Sequence, residues 1–205
     1  MLEIEVKVAL DDDAEDRLLK GAEFINESKN SDTYFDTLDY SLTTKDRWLR
    51  KRNGKFELKI PYDENEKISD REVDRYHELE DEKEIRKTLN LKGSDSLEND
   101  LVDSGFMSFA AINTTRRNYK NEGLNIVIDE MDYGYKLAEI EIVVDDKDKA
   151  EEAKNKIINF AKERNLKYTS KGIGKVIEYL GRYKPEHIKA LIESGTVEKD
   201  SLLAD

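Results

Sequence analysis

The sequence predicts an α+β fold, one domain built on a large antiparallel sheet or closed barrel with peripheral helices. Three observations predict it. Several short segments alternate apolar with charged residues, the period of a strand with two unlike faces. Asn53-Gly54 joins two of these segments, and Asn-Gly between alternating runs is the strongest short hairpin signal. A few other stretches carry the apolar stripe of an amphipathic helix.

The first strand, at about 1–9, places Leu2, Ile4, Val6 and Val8 on one face and Glu3, Glu5 and Lys7 on the other. Asp11-Asp12-Asp13 is a helix entry, followed by an amphipathic helix through Leu18, Leu19 and Ala22. A strand follows around 32–37. Residues 46–52 and 55–61 are the hairpin arms. Residues 70–78 read as a strand running into a helix from Glu80 to Leu91, in which Ile85 and Leu89 share a face. A second helical piece spans Ser96 to Gly105. Strands recur at about 108–119, 123–130 and 135–144, the last turn holding Asp132-Tyr133-Gly134. Residues 146–164 form a long charged helix with Ala150, Ala153, Ile157, Ile158 and Ala161 as its apolar stripe. A short strand-like or turn region near 167–172 and a segment Lys175–Tyr183 precede a final helix near Pro185, a residue suited to a first helical turn. No internal repeat, low-complexity linker or domain boundary interrupts the chain, so residues 1–205 are expected to form a single domain.

Composition excludes several functions. The 205 residues carry 35 Lys plus Arg against 47 Asp plus Glu, a net charge of −12. That balance argues against a general nucleic-acid or anionic-membrane binder. With no cysteine there are no disulfides and no thiolate chemistry, and zinc would find nitrogen only at His77 and His187, which do not pair at ligand spacing. No stretch approaches the roughly 18 apolar residues of a membrane span, and no basic region with a long apolar run opens the chain. A cytoplasmic protein is expected.

Comparing the strands by face shows where charge collects. On 55–61, Phe56, Leu58 and Ile60 share a side and leave Glu57 and Lys59 opposite; on 46–52, Trp48, Arg50 and Arg52 oppose Leu49 and Lys51. Leu124, Ile126 and Ile128 oppose Asn125, Val127 and Asp129, while Ala138, Ile140 and Ile142 oppose Leu137, Glu139, Glu141 and Val143. Residues 113–119 add Arg116 and Arg117. Any one of these sets matches the wet side of an ordinary half-exposed strand. Together they are sorted by sign: glutamates in spaced pairs, Glu3/Glu5 and Glu139/Glu141, and arginines as Arg50/Arg52.

A polyphosphate needs a line of positive charge, and arginine's planar fork makes two hydrogen bonds to phosphate oxygens. It also needs Mg²⁺ or Mn²⁺, hard cations that take carboxylate oxygens. Two Glu-x-Glu strands facing one another across a cavity could supply such oxygens, since i and i+2 side chains enter the same space. Closing the sheet into a barrel puts these charges inside, balanced by bound anion and cations. The alternative is an open sheet with a salted outer face.

Glu3-Ile-Glu5-Val-Lys7, Trp48-Leu-Arg50-Lys-Arg52, Glu57-Leu-Lys59, Arg116 three before Tyr119, Asp129 and Glu139-Ile-Glu141 resemble, in order, the signatures of the CYTH superfamily, the triphosphate tunnel metalloenzymes. The resemblance covers essentially the whole chain. Within the superfamily, Tyr34-Phe-Asp36-Thr37, the Trp48 strand, Tyr76-His-Glu78-Leu79 and the tail from Gly174 to Pro185 are most similar to animal thiamine triphosphatases.

The resemblance implies a barrel of about eight antiparallel strands around a charged tunnel. It also implies a metal-dependent hydrolase that removes the terminal phosphate of a small-molecule triphosphate. Thiamine triphosphate is the leading substrate, with inorganic tripolyphosphate or a nucleoside triphosphate next; adenylyl cyclase activity and non-enzymatic polyphosphate binding are further readings. Carried over by position, Lys7, Arg50, Arg52, Lys59, Arg116 and Lys175 grip phosphate oxygens. Glu3, Glu5, Asp129, Glu139 and Glu141 hold one or two Mg²⁺, with Mn²⁺ as the alternative, and Glu3, Glu5 and Lys7 stand nearest the chemistry. Lys171 competes with Lys175, and Arg117 with Arg116. Trp48 shares a face with Arg50, where its indole suits a cationic thiazolium ring. Two positions depart from the family pattern: Thr115 stands where a lysine is often found, and Val127 where some relatives carry a further acid. A closed barrel has no edge to extend, so a monomer is expected.

Overall fold

The computed structural model describes residues 2–11, 13–93, 96–169 and 174–199. Its strands are β1 (Leu2–Val8), β2 (Glu23–Asp36), β3 (Trp48–Arg52), β4 (Lys55–Pro61), β5 (Asp74–Leu79), β6 (Met107–Asn121), β7 (Leu124–Met131), β8 (Lys136–Val144) and β9 (Tyr168–Thr169). Eight of them pair antiparallel in the order β5-β4-β3-β2-β6-β7-β8-β1, and β1 returns to β5 to close the barrel. Closure divides β1 along its length. Leu2 to Glu5 pair with His77 to Asp74, whereas Lys7 and Val8 pair with Thr169 and Tyr168 of β9, which lies outside the ring. The expected closed barrel is therefore present. At its hairpin β3–β4, Asn53 and Gly54 have φ of 48° and 89°, the left-handed pair that a tight two-residue turn requires.

The helices among the described residues are α1 (Ala14–Leu19), α2 (Glu82–Thr88), α3 (Leu97–Asp103), α4 (Ala150–Glu163), α5 (Lys175–Tyr183) and α6 (Pro185–Ser194). None is long and apolar enough to cross a membrane. Most of them cover the barrel from outside. The stripe Ala150, Ala153, Ile157, Ile158 and Ala161 of α4, with Leu18 of α1, packs on the outward residues Leu2, Ile4, Val6 and Val8 of β1. Outward Leu49, Phe56 and Leu58 pack under Ile85 of α2 and Leu97 and Leu101 of α3. Each fully buried aliphatic side chain contributes about 1.5–3 kcal/mol, so the apolar faces of β1, β3 and β4 are committed outward. The charged face is left inside.

α5 differs in that it meets the inward face. Its Val176, Ile177 and Leu180 join Tyr34, Ala110, Ile112 and Leu137, which have the strand parity of the charged interior, and α6 backs this cluster with Ile188 and Leu191. The helix thereby closes one end of the barrel.

Three element boundaries depart from the sequence expectation. β2 begins at Glu23 instead of near residue 32, because its first half is largely exposed and lacks apolar alternation; it is held by pairing along β6 from Glu23↔Lys120 onward. The β5 strand starts at Asp74 after a 3-10 turn at Ile68–Asp70. A 3-10 turn at Lys147–Lys149 precedes α4, which begins at Ala150.

Candidate active site

Inward side chains from the barrel strands and the start of α5 surround a cavity of about 290 Å³. All of the sequence-predicted site residues except Asp129 line it: Glu3, Glu5 and Lys7 from β1, Trp48, Arg50 and Arg52 from β3, Lys59 from β4, Arg116 from β6, Glu139 and Glu141 from β8, and Lys175 from α5. Lys171 lies outside the described residues. Arg117 points the other way, pairing with Glu15 and Glu130 on the outer surface.

Glu5 stands opposite Glu141 across β1 and β8, and Glu3 follows two residues earlier on the same face. One carboxylate oxygen from each of Glu3, Glu5 and Glu141 lies within 4.8 Å of the others. Burial pushes Glu141 up to about 7, with help from the charges of Glu139 and Glu5. Burial likewise raises Glu3 well above the usual carboxylate range, against the pull of Lys59. Glu5 is also buried, but the ammoniums of Lys59 and Lys7 outweigh desolvation and hold it ionised far below that range. Three hard oxygen donors converging this closely, two of them disfavoured as anions by their surroundings, fit a hard divalent cation. Asp129 does not join them. It is buried behind Arg116, which donates to both of its oxygens at 2.7 Å, and those bonds lower its proton affinity despite burial.

Every tunnel cation is held by a carboxylate. Lys7 donates to Asp74 at 2.6 Å and Glu5 at 2.8 Å. Lys59 donates to Glu3 and lies 3.2 Å from Glu78. Arg50 donates to Glu57 at 2.6 Å. Arg52 forks onto Asp32 at 2.7 and 2.9 Å, while Lys175 reaches the same carboxylate at 2.6 Å. Gly174 lies against Lys7 at the start of α5, where a Cβ would sit 3.4 Å from Lys7 Cε, an ordinary contact. Tyr133 fixes the first turn of α5 by donating its hydroxyl to the Lys175 carbonyl at 2.5 Å.

Asp32, Asp74, Glu78 and Tyr76 were missed as site residues in the sequence. The signal was available in strand parity. Asp32, Tyr34 and Asp36 alternate along one strand, as do Asp74, Tyr76 and Glu78 along another, and both sets face inward. Carboxylates outnumber cations in the lining. Burial draws three of these carboxyls, Glu3, Glu141 and Asp74, toward their neutral forms.

The closed barrel with paired acids and bases on its inner wall defines a class of charged-tunnel β-barrels. The chain belongs to the CYTH family, whose domain profile matches residues 1–172. It is 27% identical to the thiamine-triphosphatase of Macaca fascicularis over 94% of this chain and 90% of that one. It is 28% identical to the human thiamine-triphosphatase over 79% of this chain and 76% of that one. Among solved structures, PH1819 from Pyrococcus horikoshii OT3 superposes with a TM-score of 0.59 at 23% identity, covering 88% of this chain and 99% of its own. HpAC1 from Hippeastrum, described as having a dominant triphosphatase activity, superposes at 0.52 with 21% identity, over 85% and 92%.

Proposed function

We propose that this chain is a metal-dependent hydrolase that removes the terminal phosphate of a triphosphate held in the tunnel, converting thiamine triphosphate to thiamine diphosphate and phosphate. The observation that carries the reading is the carboxylate trio Glu3, Glu5 and Glu141 facing Lys7, Lys59 and Arg116 inside one closed cavity. Mg²⁺ is the proposed ion, with Mn²⁺ able to take the same oxygens. When bound, it would neutralise charge developing on the transferred phosphoryl group and lower the pKa of a bound water.

The chain's own residues supply positioning. Lys7, Arg50, Arg52, Lys59, Arg116 and Lys175 exchange their carboxylate partners for phosphate oxygens and align the triphosphate along the tunnel. Glu3 and Glu5 act first as ligands and second as groups that orient the attacking water. Glu139, 3.4 Å from Arg116, is placed for a second ion or for water. Asp129 acts through Arg116. Trp48 presents an aromatic face beside Arg50 to a cationic thiazolium, an interaction worth roughly 0.5–2 kcal/mol.

The thiamine-triphosphatase relatives support the thiamine ester as substrate. Inorganic tripolyphosphate is the second reading, favoured by a lining in which charged groups dominate. Phosphate release from thiamine triphosphate, tripolyphosphate and ATP, each with Mg²⁺, Mn²⁺ or chelator and with cyclic AMP followed in parallel, separates these activities. Phosphate binding without release would leave a binding module. The closed barrel, whose eight strands pair around the ring, supports a monomer; a cytoplasmic setting is part of the proposal.

A further inference from the structure

Asp46 ends a 3-10 turn in a left-handed conformation, φ 57° and ψ 32°, and is 6% exposed. Its two carboxylate oxygens receive three side-chain donors. Trp48 donates its indole Nε1–H at 2.9 Å, Tyr76 its hydroxyl at 2.9 and 3.1 Å to the two oxygens, and Arg71 Nη1–H at 2.6 Å. The phosphate-facing side of the tunnel is tied into the same hub. The Lys59 ammonium lies 5.5 Å from the centre of the Tyr76 ring, and Arg71 also stands 4.0 Å from Asp74, the partner of Lys7. A second cavity, about 640 Å³, opens beyond Asp46 and shares Asp46, Ile68 and Thr196 with the tunnel.

We propose that Asp46, which stands at the junction of the two cavities, is a specificity-determining positioning residue: by pinning the Trp48 indole on the tunnel side, it sets the enzyme's preference for a triphosphate bearing a cationic heteroaromatic group over inorganic tripolyphosphate. The proposal rests on the reading of Trp48 given above. An indole has one donor, so this single acceptor fixes where the Nε1 edge of the ring points and limits its rotamers. Donation to a carboxylate also enriches the ring faces in electron density, which strengthens their attraction for a cation. Both oxygens of Asp46 already accept from Trp48, Tyr76 or Arg71, so it acts through the ring and not as a direct ligand. The left-handed backbone explains the residue type, because Asp and Asn tolerate this conformation far better than other non-glycine residues.

Trp48 is the sole tryptophan, so its fluorescence reports this position alone. The test compares the full chain with D46G, which removes the carboxylate without backbone strain, and D46N, which retains an acceptor and a compatible backbone. Indole anisotropy and acrylamide quenching are read without substrate. Then kcat and KM are measured for thiamine triphosphate and tripolyphosphate. D46G is expected to lower the anisotropy, increase quenching and raise KM for thiamine triphosphate at least about tenfold more than KM for tripolyphosphate, whose own smaller rise reflects the loosened Tyr76 and Arg71. D46N should restore most of the optical signal; if D46G does not fold, D46N carries the test with a smaller shift in the same direction. Unchanged anisotropy and quenching in the folded variants, or equal KM changes for both substrates, overturn the proposal. Failure of the wild type to hydrolyse thiamine triphosphate overturns the substrate reading and the preference that rests on it, whereas the optical data alone decide whether Asp46 holds the ring.

Discussion

Arg116 lies fork-on-fork against Asp129 with two hydrogen bonds of 2.7 Å, and the carboxylate is almost fully buried behind it. The pair is a cation presented to the tunnel by an anion that cannot itself reach it. Asp129→Asn should therefore lower turnover by about tenfold to a hundredfold, through a misplaced guanidinium, with metal affinity little changed. It should also destabilise the fold by about 1–3 kcal/mol, since Arg116 loses its forked partner and keeps only Glu139 at 3.4 Å. Urea unfolding and calorimetric Mg²⁺ titration measure the two effects. A large loss of metal affinity would return Asp129 to the ligand set.

Glu141 makes the metal-free protein pH-sensitive. Its folded pKa, about 7, lies above the unfolded value of 4.5, so the folded state favours the protonated form. The resulting penalty is absent below pH 4.5, develops as pH rises between the two values and is complete above about 7, where it reaches up to about 3 kcal/mol. Glu141→Gln should thus stabilise the chelated protein at pH 8 and have little effect at pH 4.5. Added Mg²⁺ should raise the melting temperature of the wild type more than that of the variant. Thermal scans with and without chelator provide the check.

His187 sets a second pH dependence, far from the acid cluster. Its ring stacks on Tyr40 at 3.9 Å, meets Phe109 edge-on, and shares a 2.8 Å hydrogen bond through Nε2 with Thr43 Oγ1, while Nδ1 has no partner among the described residues. Burial pushes the imidazole down to about 4. A depressed folded pKa means that stability is fully present above about 6.5 and lost as pH falls from there toward 4, by up to about 3 kcal/mol. Denaturant midpoints for wild type and His187→Gln across pH 4–8 should converge at the acidic end. Parallel curves would contradict the assignment.

Trp48→Ala should raise KM for thiamine triphosphate by about threefold to thirtyfold while leaving hydrolysis of tripolyphosphate nearly unchanged. Steady-state kinetics on both substrates decide it. Equal effects would make the indole a wall of the barrel and nothing more.

Much of this was legible in the sequence because a strand's two-residue period assigns faces without knowledge of the fold. Glu3, Glu5, Lys7, Arg50, Arg52, Lys59, Glu139 and Glu141 could be collected on one face from parity alone, and the Asn53-Gly54 turn fixed one register. The first half of β2 was not legible, since Glu23 to Ser31 has no apolar alternation and is held by its neighbour β6. Nor was the division between ligands and supports. Asp129 shares the parity of the tunnel residues, but its depth and the reach of Arg116 decide what it touches, and both depend on the closed barrel. The same holds for Asp32, whose bonds to Arg52 and Lys175 link positions 20 and 143 residues away in sequence. Asp46 shares the parity of Trp48, Arg50 and Arg52 in the stretch read as a hairpin arm, but the strand begins only at Trp48, and the 3-10 turn before it, not strand alternation, aims the Asp46 carboxylate.

The most direct measurement of the central claim is phosphate release from thiamine triphosphate at pH 8 by the wild type and Glu5→Gln, each with Mg²⁺ and with chelator. Glu5 lies between Lys7 and Lys59 and opposite Glu141, so it is the acid on which metal and phosphate recognition converge. The wild type should release phosphate only with Mg²⁺, and Glu5→Gln should fold but lose at least about a hundredfold in activity. Release that persists in chelator, or a variant as active as the wild type, would contradict the claim.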